Sequence, residues 1–104
     1  MKPAVVLTTA PDLKTARTLA RLLVSQKLAP CVSISSPAES VYRWKGRIEI
    51  NSERLLLIKT AVRTFPKLES FMTRRHPYQV PELLSLTVNR GSQKYLAWLD
   101  ASLK

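Results

Sequence analysis

The sequence predicts an α+β sandwich of the ferredoxin-like kind, in the order βαββαβ with a further helix at the C-terminal end. Three features point there. Short apolar runs at residues 4–9 and 55–58 have the length and β-branched content of buried strands. From Leu13 to Val24 the apolar residues recur at three- and four-residue steps, the period of a helix. Between them, residues 40–49 alternate two kinds of side chain at the period of an extended strand.

Taken in order, residues 4–9 lie between Pro3 and Pro11 and read as a strand buried on both faces. The helix that follows starts at Pro11 or Asp12 and runs to about Lys27, with Leu13, Ala16, Leu19, Ala20, Leu23 and Val24 inward and Lys14, Arg17 and Arg21 outward. Residues 31–34 are β-rich. The tract Ser35-Ser36-Pro37-Ala38 interrupts them, and the extended pattern resumes over 40–50, as a bent or bulged strand would. In one continuous strand Tyr42, Trp44, Gly46 and Ile48 share a face, and Arg43, Lys45, Arg47 and Glu49 the other. Gly46 can also take a positive φ and turn a hairpin there, which would break this assignment beyond the turn; Asn51-Ser52 is the other candidate. Residues 55–58 read as a central strand. Thr64 is placed to cap a second helix carrying Leu68, Phe71 and Met72 inward and ending before His76-Pro77. A last strand follows over 83–88, and Ser92 caps a short helix with Tyr95, Leu96, Trp98, Leu99 and Leu103. Right-handed crossovers convert this order into two split βαβ units.

The 104 residues suffice for one domain, 1–104, without metal or disulfide support. Seventeen Lys and Arg against seven Asp and Glu give a formal charge of +10, which invites anionic partners, although most of the cations read as a solvated face. Nucleic acid draws on charge alone, since neither an aromatic RNA-binding strand pair nor a helix-turn-helix is present. The lone Cys31, set in Leu28-Ala29-Pro30-Cys31-Val32, excludes an internal disulfide, suits a reducing compartment and reads as a small buried hydrophobe. No secretory signal and no apolar run of bilayer length is visible, so a cytoplasmic chain is expected.

Catalysis is not indicated. There is no nucleophile elbow, no Cys-His pairing, no close carboxylate pair and no glycine-rich phosphate loop, since glycine occurs only at 46 and 91. Glu49 and Glu53 read as solvated or paired with the surrounding cations. His76-Pro77-Tyr78 with Pro81-Glu82 is a stiff loop: either a binding site in which neutral His76 ligates a metal or accepts a hydrogen bond, or simply the closure of the sandwich, the plainer of the two. Lys59, after four apolar residues, either meets an anionic partner or snorkels to solvent. The aromatic side of the 40–49 ribbon has too little core to cover it and is expected to meet another subunit or a ligand.

In this order and spacing the segments resemble the CutA family of divalent-cation tolerance proteins. The resemblance rests on Thr9-Ala10-Pro11, Leu23-Val24 to Leu28-Ala29-Pro30-Cys31-Val32, the 40–49 ribbon, Glu53, Leu57-Ile58-Lys59-Thr60, His76-Pro77-Tyr78, Pro81-Glu82 and Tyr95-Leu96-Ala97-Trp98. It implies a ferredoxin-like fold, a tight homotrimer whose long hairpins reach across to neighbouring subunits, and a trimer core similar to that of PII signalling proteins. It implies a non-enzymatic role in tolerance to copper and other divalent cations, and a ligand cleft between subunits lined by Tyr42, Trp44, Lys59, His76 and Tyr78. Copper-associated members carry a Cys on the first strand and two adjacent His before Pro-Tyr, whereas this chain has Thr8 and Arg75-His76. His76 alone matches as a metal ligand, so no cofactor is expected to be held firmly, and copper or another divalent cation only weakly. A small anionic ligand is the other expected occupant. The alternatives are a PII-like regulatory trimer that docks on a partner protein and, on charge alone, a basic nucleic-acid-binding module.

Overall fold

The computed structural model describes residues 1–104. The chain runs β1 (Pro3–Ala10), α1 (Leu13–Ser25), β2 (Cys31–Trp44), β3 (Arg47–Ala61), a single 3-10 turn (Val62–Thr64), α2 (Phe65–Arg75), β4 (Leu84–Thr87) and α3 (Gln93–Ser102). The strands form one sheet in the order β2-β3-β1-β4, every neighbouring pair antiparallel. This is the ferredoxin-like α+β arrangement expected from the alternation of strand and helix periods.

Asp12 starts α1. Its carboxylate accepts the Thr15 N–H at 2.7 Å, and this bond to an otherwise orphaned helix donor holds the Asp12 carboxyl below its ordinary pKa. Lys27, at φ 58°, ends the helix in the left-handed region and lets Leu28 N–H reach Leu23 O at 2.9 Å. Ala16, Leu19, Ala20 and Leu23 are buried. Val24, expected inward, is exposed, because the buried stripe of the helix does not extend past Leu23. Leu19 and Leu23 meet Leu68, Phe71 and Met72 of α2 and Val6, Leu56 and Ile58 of the sheet in one core.

The sequence predicts burial on both faces for residues 4–9 and 55–58. Instead Ala4, Val6, Thr8 and Ala10 of β1, and Leu56, Ile58 and Thr60 of β3, are buried toward the helices. Val5, Leu7, Leu55, Leu57 and Lys59, on the opposite face, are only half-buried. The two helices connecting strands cover one side of the sheet, which leaves the other open in a single chain. Leu84 and Leu86 of the edge strand β4, paired with Leu7 and Val5, continue this open face and are more than half exposed. At one end α3 lies against β3: Leu99 is buried and Arg63 pairs with Asp100 at 3.2 Å. The cap at Ser92 forms as expected, its hydroxyl accepting Tyr95 N–H at 3.2 Å. Thr64 caps nothing with its side chain; it belongs to the 3-10 turn, and α2 is started by Pro66 in its first turn.

The long hairpin is β2 and β3. Its turn is Lys45-Gly46, at φ 51° and 77°, the two left-handed residues that a two-residue hairpin turn requires. Of the two candidate turns it is therefore Gly46, not Asn51-Ser52, that reverses the chain. Near its base β2 carries a bulge: Ile34 opposes Leu56 but Pro37 opposes Arg54, so one extra residue is inserted on β2. Ser35 secures it, its hydroxyl accepting Leu55 N–H at 2.8 Å and its carbonyl accepting from Arg54 at 3.2 Å.

No helix is long and apolar enough to cross a membrane.

Candidate functional site

Four segments converge at the site: the end of β1, the parts of β2 and β3 between the bulge and the turn, and the loop between α2 and β4. The loop is positioned by chain chemistry. His76 precedes a proline, which disfavours helical backbone, so α2 stops and His76 turns extended at φ −73° and ψ 138°. Its imidazole then folds inward, 8 % exposed. Nε2 lies 2.6 Å from the Thr9 carbonyl and Nδ1 accepts the Tyr78 N–H at 3.0 Å, so the Nε2-protonated neutral tautomer satisfies both. The ring thereby ties the loop to the end of β1.

Tyr78 packs against that ring, centroids 4.8 Å apart, and its hydroxyl donates to Glu53 Oε2 at 2.5 Å. Burial, and then the Glu53 carboxylate beside it, push the phenol above its ordinary pKa, because ionisation there would place two negative charges side by side. Glu53 is 7 % exposed, and the Tyr78 hydroxyl is its side chain's hydrogen-bond partner.

The hairpin register supplies the rest. Trp44 opposes Arg47, Tyr42 opposes Glu49 and Ser40 opposes Asn51, so these residues share a face, and Glu53 continues it on β3. The side-chain amide of Asn51 donates to the Tyr42 hydroxyl. Val41, Arg43, Ile48 and Ile50 take the reverse face. The expected grouping of Tyr42 and Trp44 with Ile48, and of Arg43 with Arg47 and Glu49, thus fails beyond the turn, since reversal at Lys45-Gly46 exchanges the parity of β3 relative to β2. Tyr42, Trp44, Asn51 and Glu53 on the hairpin and Pro77 to Val80 with Glu82 on the loop enclose a groove of about 630 Å³, in the range of small-molecule sites.

Of the five residues expected to line a cleft, Tyr42, Trp44 and Tyr78 do so within one chain. His76 stands behind the loop and orients Tyr78. A metal on His76 would have to displace one of its two hydrogen bonds, and no cluster of three or more His, Cys, Asp or Glu side chains is placed to hold an ion. Lys59 lies elsewhere, on the open sheet face, where it donates to the Ser33 hydroxyl and, at 3.8 Å, to Cys31 Sγ. Cys31, expected to be buried, is half-exposed beside this lysine because it falls on that same uncovered face. Glu53, read from the sequence as solvated or paired with neighbouring cations, is instead buried and bonded to the Tyr78 hydroxyl. Its partner lies 25 positions away, and only the His76-Pro77-Tyr78 and Pro81-Glu82 pattern hints that a fixed loop comes to meet it.

The family model described as CutA1 divalent ion tolerance protein matches residues 4–102. The chain is 45 % identical over 95 residues to the divalent-cation tolerance protein CutA of Thermus thermophilus, covering 91 % of this chain and 92 % of that protein. It is 44 % identical over 100 residues to the protein of the same name from Escherichia coli, covering 96 % and 89 %. The crystal structure of CutA1 from Oryza sativa superposes with a TM-score of 0.95 at 38 % identity, over 98 % of this chain and 94 % of that one. Fold, motif order and whole-length similarity agree, and the chain belongs to the CutA1 family of divalent ion tolerance proteins.

Proposed function

We propose that this protein acts without catalysis as a homotrimer in the response to divalent metal ions, copper among them, and that clefts between its subunits, each built around the Tyr42-Trp44-Tyr78 groove, receive a small ligand or a metal ion. The observation that carries the assembly is surface left uncovered. Val41, Ile48 and Ile50 on the hairpin and Leu84 and Leu86 on the sheet are each more than half exposed. A monomer of this mass is expected to expose about 5,900 Å²; this chain exposes 6,945 Å². Its radius of gyration is 14.2 Å against about 13 Å for a compact chain of this length. The excess lies where an apolar sheet face and a projecting two-stranded ribbon, itself marginal alone, call for a partner surface. The family membership and the names of its relatives support the metal-ion role.

Sedimentation at micromolar concentration tests the assembly: a single species of three chain masses is expected. Trp44→Glu, which places a charge on the ribbon, is expected to shift it toward smaller species. A stable, folded single-chain species in the wild type would overturn the trimer, and an unchanged mass in Trp44→Glu would remove Trp44 from the contact. Calorimetry with Cu(II) tests direct coordination. Weak heat that His76→Ala abolishes supports it; no heat in either protein assigns the metal response to something other than binding here.

A further inference from the structure

We infer that the outer face of α1 and α2 is a docking surface for an acidic segment of a partner protein, centred on a groove where Lys14 and Arg75 meet. The face lies on the helix side of the sheet, opposite the open apolar side, and of the exposed large apolar residues only Val24 belongs to these two helices. It is therefore not among the surfaces that call for a neighbouring copy.

The charges on this face are arranged at a cost to the helices. Lys14, Arg17 and Arg21 on α1 and Lys67, Arg74 and Arg75 on α2 are all exposed. Against them stand only Glu69 and the cap Asp12, whose carboxylate is engaged with the Thr15 N–H at 2.7 Å. Lys14 with Arg17, and Arg17 with Arg21, place like charges three and four residues apart, a spacing at which cations repel and a glutamate would pair. Lys14 and Lys67 stand in first turns that hold no acid, where the helix dipole disfavours a cation. None of these cations is in an ion pair, since the one pair of the chain is Arg63 with Asp100. A face kept only for solubility would mix both signs, and a fold accepts such local conflict chiefly at functional positions.

The groove gives the face a seat. The last turn of α2 sets Arg75 beside the first turns of α1, where it and Lys14, Thr15 and Thr18 surround about 360 Å³ over Leu19 and Leu22. The two cations can hold a carboxylate between them, while the leucine floor takes an aliphatic side chain, which together describe an acidic peptide with an apolar anchor. Nucleic acid fits less well. No aromatic side chain is exposed on either helix for a base to stack on, and the apolar floor offers a phosphate nothing.

The test titrates the full chain, by fluorescence anisotropy at low salt, into a labelled peptide of repeated Glu-Glu-Leu, its Gln-Gln-Leu counterpart and a DNA duplex. The acidic peptide is expected to bind at least about tenfold more tightly than its neutral counterpart, and added salt to weaken the acidic peptide. Lys14→Glu with Arg75→Glu should cost the acidic peptide about tenfold, whereas Arg90→Glu with Lys104→Glu, the same change of net charge away from these helices, should cost no more than about twofold. Equal losses in the two double variants, or equal binding of the two peptides, overturn the proposal. A larger loss for the duplex than for the peptide in the helix variant assigns the face to nucleic acid and overturns the acidic segment. A changed sedimentation mass in that variant makes the face a contact between subunits and overturns it as well.

Discussion

Replacing Tyr78 by Phe isolates the contact on which the loop, the hairpin and the groove converge. The ring keeps its place against His76, 4.8 Å between centroids, and only the hydroxyl is lost. That hydroxyl donates at 2.5 Å to Glu53, and a hydrogen bond to a charged acceptor contributes about 1.5–3 kcal/mol. Its loss leaves a carboxylate that is 7 % exposed without its donor, so the middle of that range or above applies and Tyr78→Phe is expected to cost about 2 kcal/mol. For a domain of this size that is roughly 8–16 °C in melting temperature, compared at equal protomer concentration because assembly also shifts melting. A double-mutant cycle with Glu53→Gln, read by urea unfolding, should return a coupling of about 1–2 kcal/mol. The pH dependence gives a second reading. Because the folded pKa of Tyr78 lies above its unfolded value, near 10, its contribution is intact below about pH 10 and is lost as pH rises beyond that. Wild type should lose stability there more steeply than Tyr78→Phe. A coupling indistinguishable from zero together with identical alkaline slopes would refute the role given to this pair.

Thr8 is fully buried and its hydroxyl has no hydrogen-bond partner, so Thr8→Val should raise stability by about 1 kcal/mol in thermal unfolding; a loss would show that the hydroxyl is satisfied. Gly46 sits at φ 77° with open space around it, no atom lying within 4 Å of where an alanine methyl would stand, so Gly46→Ala meets no clash and its cost, about 1 kcal/mol, is one of backbone conformation alone. Lys45→Asn, at φ 51°, should act in the opposite direction by a few tenths of a kcal/mol, since Asn is at home in that region; equal melting of both turn variants and wild type would count against the turn as the register-setting element.

The fold is legible in the sequence because its signals are local. The three- and four-residue spacing of Leu13 to Val24, the caps at Asp12 and Ser92, the prolines flanking β1 and the stop at His76-Pro77 each act within a few residues of themselves. The site is legible only in part. Tyr42, Trp44 and Tyr78 can be selected as aromatic residues on ribbon and loop, but their neighbours depend on two facts that no local pattern carries. One is which residues form the hairpin turn, a choice between Gly46 and Asn51-Ser52 that decides whether Glu49 and Glu53 face the aromatic residues. The other is where the 76–82 loop lands, which His76 settles by reaching back 67 positions to Thr9. Without both, Glu53 reads as a solvated carboxylate. The surroundings of Lys59 escape the sequence for a related reason: the apolar run before it suggests full enclosure, whereas within one chain the sheet is clothed by helices on one side only.

The single surplus residue at Ser35-Ser36 has a consequence for how this chain can diversify. Pairing on either side of it is complete, Ile34 with Leu56 below and Pro37 with Arg54 above, so deleting one serine would close the ladder without changing which side chains sit opposite one another. What such a deletion would alter is direction, because an inserted residue bends its strand and deepens the local twist. The far part of the ribbon would straighten, swinging Tyr42 and Trp44 as a unit relative to a loop that His76 holds to β1. A one-codon change at this joint therefore re-aims the rings while preserving their neighbours on the ribbon, and leaves the helices and their shared interior untouched. Evolution is given a steering point in the hairpin, at which the width of the groove can be adjusted without redrawing its walls.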